Sequence, residues 1–221
     1  MFASLKLTLS PRCPSRGEGT GWTRALSQRP ELLLFAVLLG VFNLPLLFGS
    51  FWRSMIFVPA AIWEGEWWRV LTYPFVHATW YHLALDGIAF LTLYHGLAER
   101  SMLRRLSYVV AAGAGSLLVP WLSSSGISTH GLCGLSGIAH GLMAVSALEM
   151  MMKSGSRSPE RHAGLLCFIL VVGKASFEAL SGRMFLAFLH FGLMGEPVAV
   201  SHAGGIIGGL IAVGLLRSFK S

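Results

Sequence analysis

Apolar positions along this chain fall into runs of membrane-spanning length rather than into the short amphipathic stripes of a soluble domain. A spanning helix needs roughly 20 mostly apolar residues, and six stretches qualify: 31–49, 74–97, 106–122, 133–152, 163–181 and 199–217. Lys174 and Glu178 interrupt the far end of the fifth. The pattern predicts an all-α membrane protein, a bundle of six transmembrane helices. Between the first two helices runs a connection, Ser50 to Tyr73, rich in Trp, Phe and Pro. Its Trp52, Trp63, Trp67 and Trp68 suit the headgroup zone, where a ring is half dry and half wet. That loop is expected to lie in the interface.

Composition agrees with the pattern. Only 12% of the 221 residues are charged, against about 25% in an ordinary soluble domain. The chain divides into a basic tail over 1–30, expected to be cytoplasmic and unstructured, one membrane domain over 31–217, and a short cytoplasmic end over 218–221. The first apolar run lacks an A-x-A cleavage pattern and outlasts a signal peptide, so it reads as a retained helix. The net charge of +7 points to topology rather than to nucleic acid. With the N-terminus in the cytoplasm, 13 of the 17 Lys and Arg residues fall on inside segments, as the positive-inside rule requires of a chain with both termini inside. Three scattered cysteines, Cys13, Cys133 and Cys167, support neither a disulfide framework nor a zinc knuckle.

Polar groups within a bilayer are expensive, so those that persist are functional candidates. On this topology the second helix carries His77, His82 and Asp86 near its outer end. The fourth carries Ser136 and His140, and the sixth carries His202 in its first turn. All fall in the outer leaflet at similar depth, which predicts one polar site opening outward. Gly131 and Gly134 precede Ser136 and suit a loop dipping into the membrane, tolerated only beside protein or a wet cavity. Gly137 and Gly141 on the fourth helix face Gly205 and Gly209 on the sixth, small-xxx-small pairs that let backbones approach closely. Ser136 is then a nucleophile in need of a base, and His202 is that base. Unpaired N–H groups at the start of the fourth helix can meet a developing oxyanion. His82 and Asp86, one helical turn apart, can support the same oxyanion.

The ordered set Trp68-Arg69, His77, His82, Asp86, then Gly134-Leu-Ser136-Gly137 with Gly141, then His202-Ala-Gly-Gly205 with Gly209 resembles the rhomboid family of intramembrane serine proteases over about residues 31–217. The resemblance implies a rhomboid-like six-helix bundle and a catalytic dyad of Ser136 and His202. Oxyanion support would come from His82, the residue at 86 and the Gly134–Ser136 backbone. It implies membrane-anchored protein substrates within a lipid bilayer, and no metal, small-molecule cofactor or nucleic acid. The chain departs from the family at Asp86, its only aspartate, where rhomboids usually carry asparagine. An amide donates to an oxyanion; an ionised carboxylate repels it. A protonated Asp86 could still donate, or Asp86 could orient His82 or complete a triad. The Gly134–Gly141 run and the Gly173-Lys174…Glu178 patch are similar to the rhombosortase branch, bacterial enzymes that trim exported proteins near a Gly-Gly-containing C-terminal tail. That implies the bacterial inner membrane, with the site toward the periplasm.

Other readings compete for the same residues. Taken alone, Ser136 is a small residue at a helix crossing, His202 an interfacial histidine and His77 a loop anchor or a further site residue. Lys174 and Glu178 either read substrate or pair with each other. His77, His82, Asp86, His140 and His202 together could form the zinc set of a metal-dependent membrane hydrolase. A rhomboid-like protein that binds clients without cutting them is the third alternative.

Overall fold

The computed structural model describes residues 29–123, 126–185, 188 and 198–218. Within them lie six long helices: α1 (Pro30–Phe42), α2 (Trp80–Gly96), α3 (Met102–Ser123), α4 (Ser136–Lys153), α5 (Pro159–Ser181) and α6 (Val200–Ser218). Four segments are long and apolar enough to cross a membrane: Pro30–Phe48, Met102–Ser123, Pro159–Ser181 and Val200–Ser218. The other two differ for local reasons: α2 has only 17 residues, and α4 carries His140, Glu149 and Lys153. Leu33, Leu34, Ile88, Val110, Ile169, Leu170 and Ile211 point outward, each more than half exposed. Such apolar outer faces belong in lipid. The chain is an integral membrane protein with a helical bundle fold. Nearly all of the 1–30 tail, and the chain end beyond 218, lie outside the described residues.

Helix boundaries follow local chemistry. Pro30 and Pro159 occupy first-turn positions, where a missing N–H costs nothing. Thr79 caps α2 by accepting the His82 backbone N–H at 3.1 Å, and Ser158 does the same for Arg161 on α5. This cap corrects one expectation. Val76 and Thr79 are extended, so His77 lies in the approach to α2 and not on it. Asn43, just past α1, holds that approach: its amide donates to Leu39 O and Phe75 O, and its carbonyl accepts from His77 N–H.

The aromatic connection between α1 and α2 folds into short helical turns, with Trp63 and Trp67 exposed and Phe57 and Ile62 fully buried. Arg69 organises it by pairing with Glu66 and donating to the carbonyls of Arg53 and Ile56. Phe57 exchanges both backbone hydrogen bonds with Leu132, at 2.9 and 2.8 Å, in an isolated antiparallel bridge. The connection thereby anchors the loop that delivers Ser136.

At the opposite end, Arg105 pairs with Glu31, which also accepts from Tyr94 Oη at 2.9 Å; all three groups are buried or nearly so. This ties α1, α2 and α3 together. Arg105→Met leaves the Glu31 carboxylate buried without its counter-charge. It is expected to cost about 3–5 kcal/mol, the usual penalty for breaking one side of a buried pair. Thermal unfolding in detergent measures it, and an unchanged midpoint would refute the assignment.

Small residues decide how α6 fits. Its glycines face two helices at once: a Cβ at Gly204 would strike Gly115 O, one at Gly205 would strike Gly137 O, and one at Gly208 would strike Ala111 O. Helix α6 therefore lies in backbone contact with both α3 and α4. The predicted facing pairs are observed, since Cβ atoms at Gly141 and Gly209 would stand 2.5 Å from Gly205 O and 2.9 Å from Gly141 O.

Candidate active site

Each site residue is placed by the element that precedes it. Gly131 and Gly134 take positive φ, 75° and 94°, a conformation that glycine adopts without strain. They bend the chain between the Phe57–Leu132 bridge and a hydrogen bond from Gly134 N–H to Tyr73 O at 3.0 Å. Helix α4 then starts at Ser136 itself. Its first-turn N–H groups have no intrahelical partner, so the serine sits where backbone donors and the helix dipole converge.

Ser136, His140, Lys174 and His202 line one cavity of about 660 Å³, with His82 and Asp86 also on its wall. Residues from α2, α4, α5 and α6 thus meet at one cavity, where the sequence had grouped polar residues of α2, α4 and α6 alone. Among the described residues no hydrogen bond joins Ser136 Oγ to His202. The distance between them is set by the crossing of Gly137 against Ser201 O and Gly205, tight enough that neither helix tolerates a side chain there.

On the α2 side, His82 Nδ1 accepts the Ala78 backbone N–H at 3.4 Å. A neutral His82 therefore carries its proton on Nε2, which faces Asp86 Oδ2 at 3.2 Å. His77 Nε2 stands 3.6 Å from the same oxygen. Asp86 is flanked by two imidazoles at ion-pair distance, and its Oδ2 is buried without a hydrogen-bond partner among the described residues. Gly134 packs against the pair, and a Cβ there would lie 2.7 Å from His82 Nε2 and 2.8 Å from Asp86 Oδ2.

On the α5 and α6 side the expectation was incomplete. Besides pairing with Lys174, Glu178 is wholly buried in the protein, and its Oε2 is 2.6 Å from His202 Nδ1. Lys174 pairs with Glu178, at 2.8 and 2.9 Å, and also reaches His140 Nε2 at 3.0 Å. His140 stacks flat on His202, with ring centroids 3.9 Å apart and planes 13° from parallel. From the sequence His140 belongs to the outward polar set, with a buried structural hydrogen bond expected of it rather than a part in catalysis. Its spacing of four from Ser136 was the available signal, because i and i+4 share a face. Cys133 and His130 also line the cavity, though nothing in their spacing singled them out.

The five-residue zinc set is not assembled. Its members separate into His77, His82 and Asp86 on one side and His140 and His202, with Glu178, on the other. In the first group Ala78 N–H donates to His82 Nδ1, so His82 Nε2 could ligate a metal only by giving up its proton and that contact. In the second, the Lys174 ammonium already lies against His140 and Glu178.

A family model, the Rhomboid domain, matches residues 64–219. The chain belongs to the rhomboid family. Neither a curated protein nor a solved structure matches it. Rhomboids are serine proteases that act on membrane proteins within the bilayer, and the matched region holds every site residue named above. The family match agrees with the resemblance carried by the ordered motifs, and it does so at the level of the family, not of a branch.

Proposed function

We propose that this rhomboid is an active intramembrane serine endopeptidase, with Ser136 as nucleophile and His202 as general base. The observation that carries the reading is the shared cavity. Ser136 at the start of α4 and His202 in the first turn of α6 line it together, across the backbone contact of Gly137 with Gly205. In the reaction, His202 Nε2 takes the Ser136 hydroxyl proton as Oγ attacks the scissile carbonyl carbon. The negative oxygen that forms is met by N–H groups at the start of α4 and by the His82 Nε2–H. The C–N bond then breaks, and the proton passes from His202 to the leaving amine. Water, activated by the same histidine, cleaves the acyl ester and restores Ser136.

Within the family we place the chain in the rhombosortase branch, on the Gly134–Gly141 run and the Lys174/Glu178 patch. The substrates proposed are exported, membrane-anchored proteins with a Gly-Gly-containing tail, cut near the outer face of a bacterial inner membrane. The enzyme's two termini would lie in the cytoplasm. Mass spectrometry of such a co-expressed protein, with wild-type enzyme and with Ser136→Ala, gives the cut site and its dependence on the serine. A folded wild-type protein that neither cuts any tail nor reacts with a fluorophosphonate would instead identify a client-binding rhomboid.

Asp86 supplies a separate test. If its charge orients His82 across the 3.2 Å contact, Asp86→Asn removes that charge, and kcat should fall sharply. Full activity extending to higher pH would show that residue 86 serves as a neutral oxyanion donor.

A further inference from the structure

We propose that Glu178 is the positioning carboxylate of His202, and that Lys174 and His140 lock the pair, so that the site works as a Ser136–His202–Glu178 triad. The inference rests on the serine-protease reading above and adds a residue to it. It follows from counting donors and acceptors around one buried group.

A carboxylate only accepts, so His202 Nδ1, 2.6 Å from Glu178 Oε2, carries the proton of that contact. His140 Nδ1 lies 2.7 Å from the Ser136 carbonyl oxygen, which also only accepts, so that nitrogen is protonated too. His140 Nε2 is then a lone pair, and it accepts from Lys174 Nζ at 3.0 Å. The lysine has three N–H donors. Two go to Glu178 Oε1 and Oε2, the third to His140. Glu178 Oε1 further accepts the Phe185 backbone N–H at 2.9 Å. Its two oxygens therefore receive four hydrogen bonds, which fills a carboxylate's capacity. Every donor and acceptor in the network is matched but one. The nitrogen left over is His202 Nε2, the atom the proposed base must use.

An ordinary Lys–Glu pair one turn apart on a helix needs none of this. Such pairs are solvated and contribute a few tenths of a kcal/mol. Here the carboxylate has no exposure while its lysine, 31% exposed, reaches in from the cavity. Burial of that kind is costly unless every lone pair is occupied, and one of the occupants is His202. The flat His140 stack confines the ring plane that the carboxylate has aligned. Holding the imidazole in the correct tautomer and direction is what an acid partner does for a catalytic histidine. The other titratable and charged groups on the cavity wall, His82 and Asp86 from α2 and Arg53, His130 and Cys133 from the connecting segments, make no hydrogen bond or ion pair to this network among the described residues.

The test uses the full-length protein in detergent and a fluorophosphonate probe, whose rate of reaction reports the activated serine without need of a known substrate. Glu178→Gln is expected to lower the maximal acylation rate by at least about 100-fold and up to about 10,000-fold, the latter being the scale seen when a triad histidine loses its acid partner, with probe affinity unchanged. Glu178→Asp should restore part of the rate, and Lys174→Met should lower it by roughly tenfold by freeing the carboxylate. A Glu178→Gln rate within about threefold of wild type, with Ser136→Ala inert, overturns the positioning role and leaves the serine mechanism standing. Acylation persisting in Ser136→Ala overturns both. Should Glu178→Gln fail to fold, ¹⁵N-imidazole NMR of the wild-type protein decides: His202 is expected as the Nδ1–H tautomer, and an Nε2–H signal refutes the proposal.

Discussion

Alanine at Ser136 or at His202 is expected to reduce turnover by about a thousand-fold or more while leaving the bundle folded, and the double replacement should cost little beyond either one. The reason is that the two act as a unit. Without the base, the hydroxyl is almost never deprotonated at neutral pH; without the hydroxyl, the base has nothing to activate. Neither side chain is a main support of the fold. Ser136 stands at a helix start where its backbone does the structural work, and removing His202 leaves Glu178 still bonded to Lys174 and to Phe185 N–H. Cleavage of a reporter and fluorophosphonate labelling, each read beside a thermal unfolding curve, measure the effect. Wild-type turnover in either variant would refute the proposed chemistry.

Any side chain at Gly205 is expected to unsettle the whole domain and abolish activity with it. A Cβ there falls on the Gly137 carbonyl oxygen, and one at Gly204, a residue earlier, falls on Gly115 O. The obstacle on both sides is helix backbone, which cannot swing aside as the tip of a long side chain can. Overpacking of this kind usually costs about 1–3 kcal/mol, and for Gly205→Val the lost crossing also moves His202 away from Ser136. Gly214 lies on the same helix with nothing within 4 Å of its Cβ position. Gly214→Ala should therefore leave stability and activity unchanged. Equal behaviour of the two variants would show that the crossing is not what holds the site together.

The departure from the family pattern at Asp86 takes on a definite shape in the structure. The sequence left three roles open because a carboxyl can donate or accept according to its surroundings. The surroundings are now named: two imidazole nitrogens, one of them protonated because Ala78 N–H occupies its ring partner.

Class and family were legible in the chain alone. Hydrophobic runs of spanning length report on the solvent a helix must face, and that information is local. The glycine ladder was equally legible, since only small residues allow backbones to touch and their spacing marks the face that does so. The ordered motifs around Ser136 and His202 carried the family, and the match over 64–219 agrees. What the sequence could not supply was partnership across helices. His77 falls inside the apolar run 74–97, whereas the Thr79 cap starts α2 later. Glu178 and Lys174 read as a pair one turn apart, since spacing shows who shares a helix face but not what that face meets. The fold turned the Glu178 carboxylate inward onto His202 and stacked His140 on the same ring. Hydrogen bonds form between atoms a few ångströms apart in space, and only the packing of α4, α5 and α6 brings those atoms together.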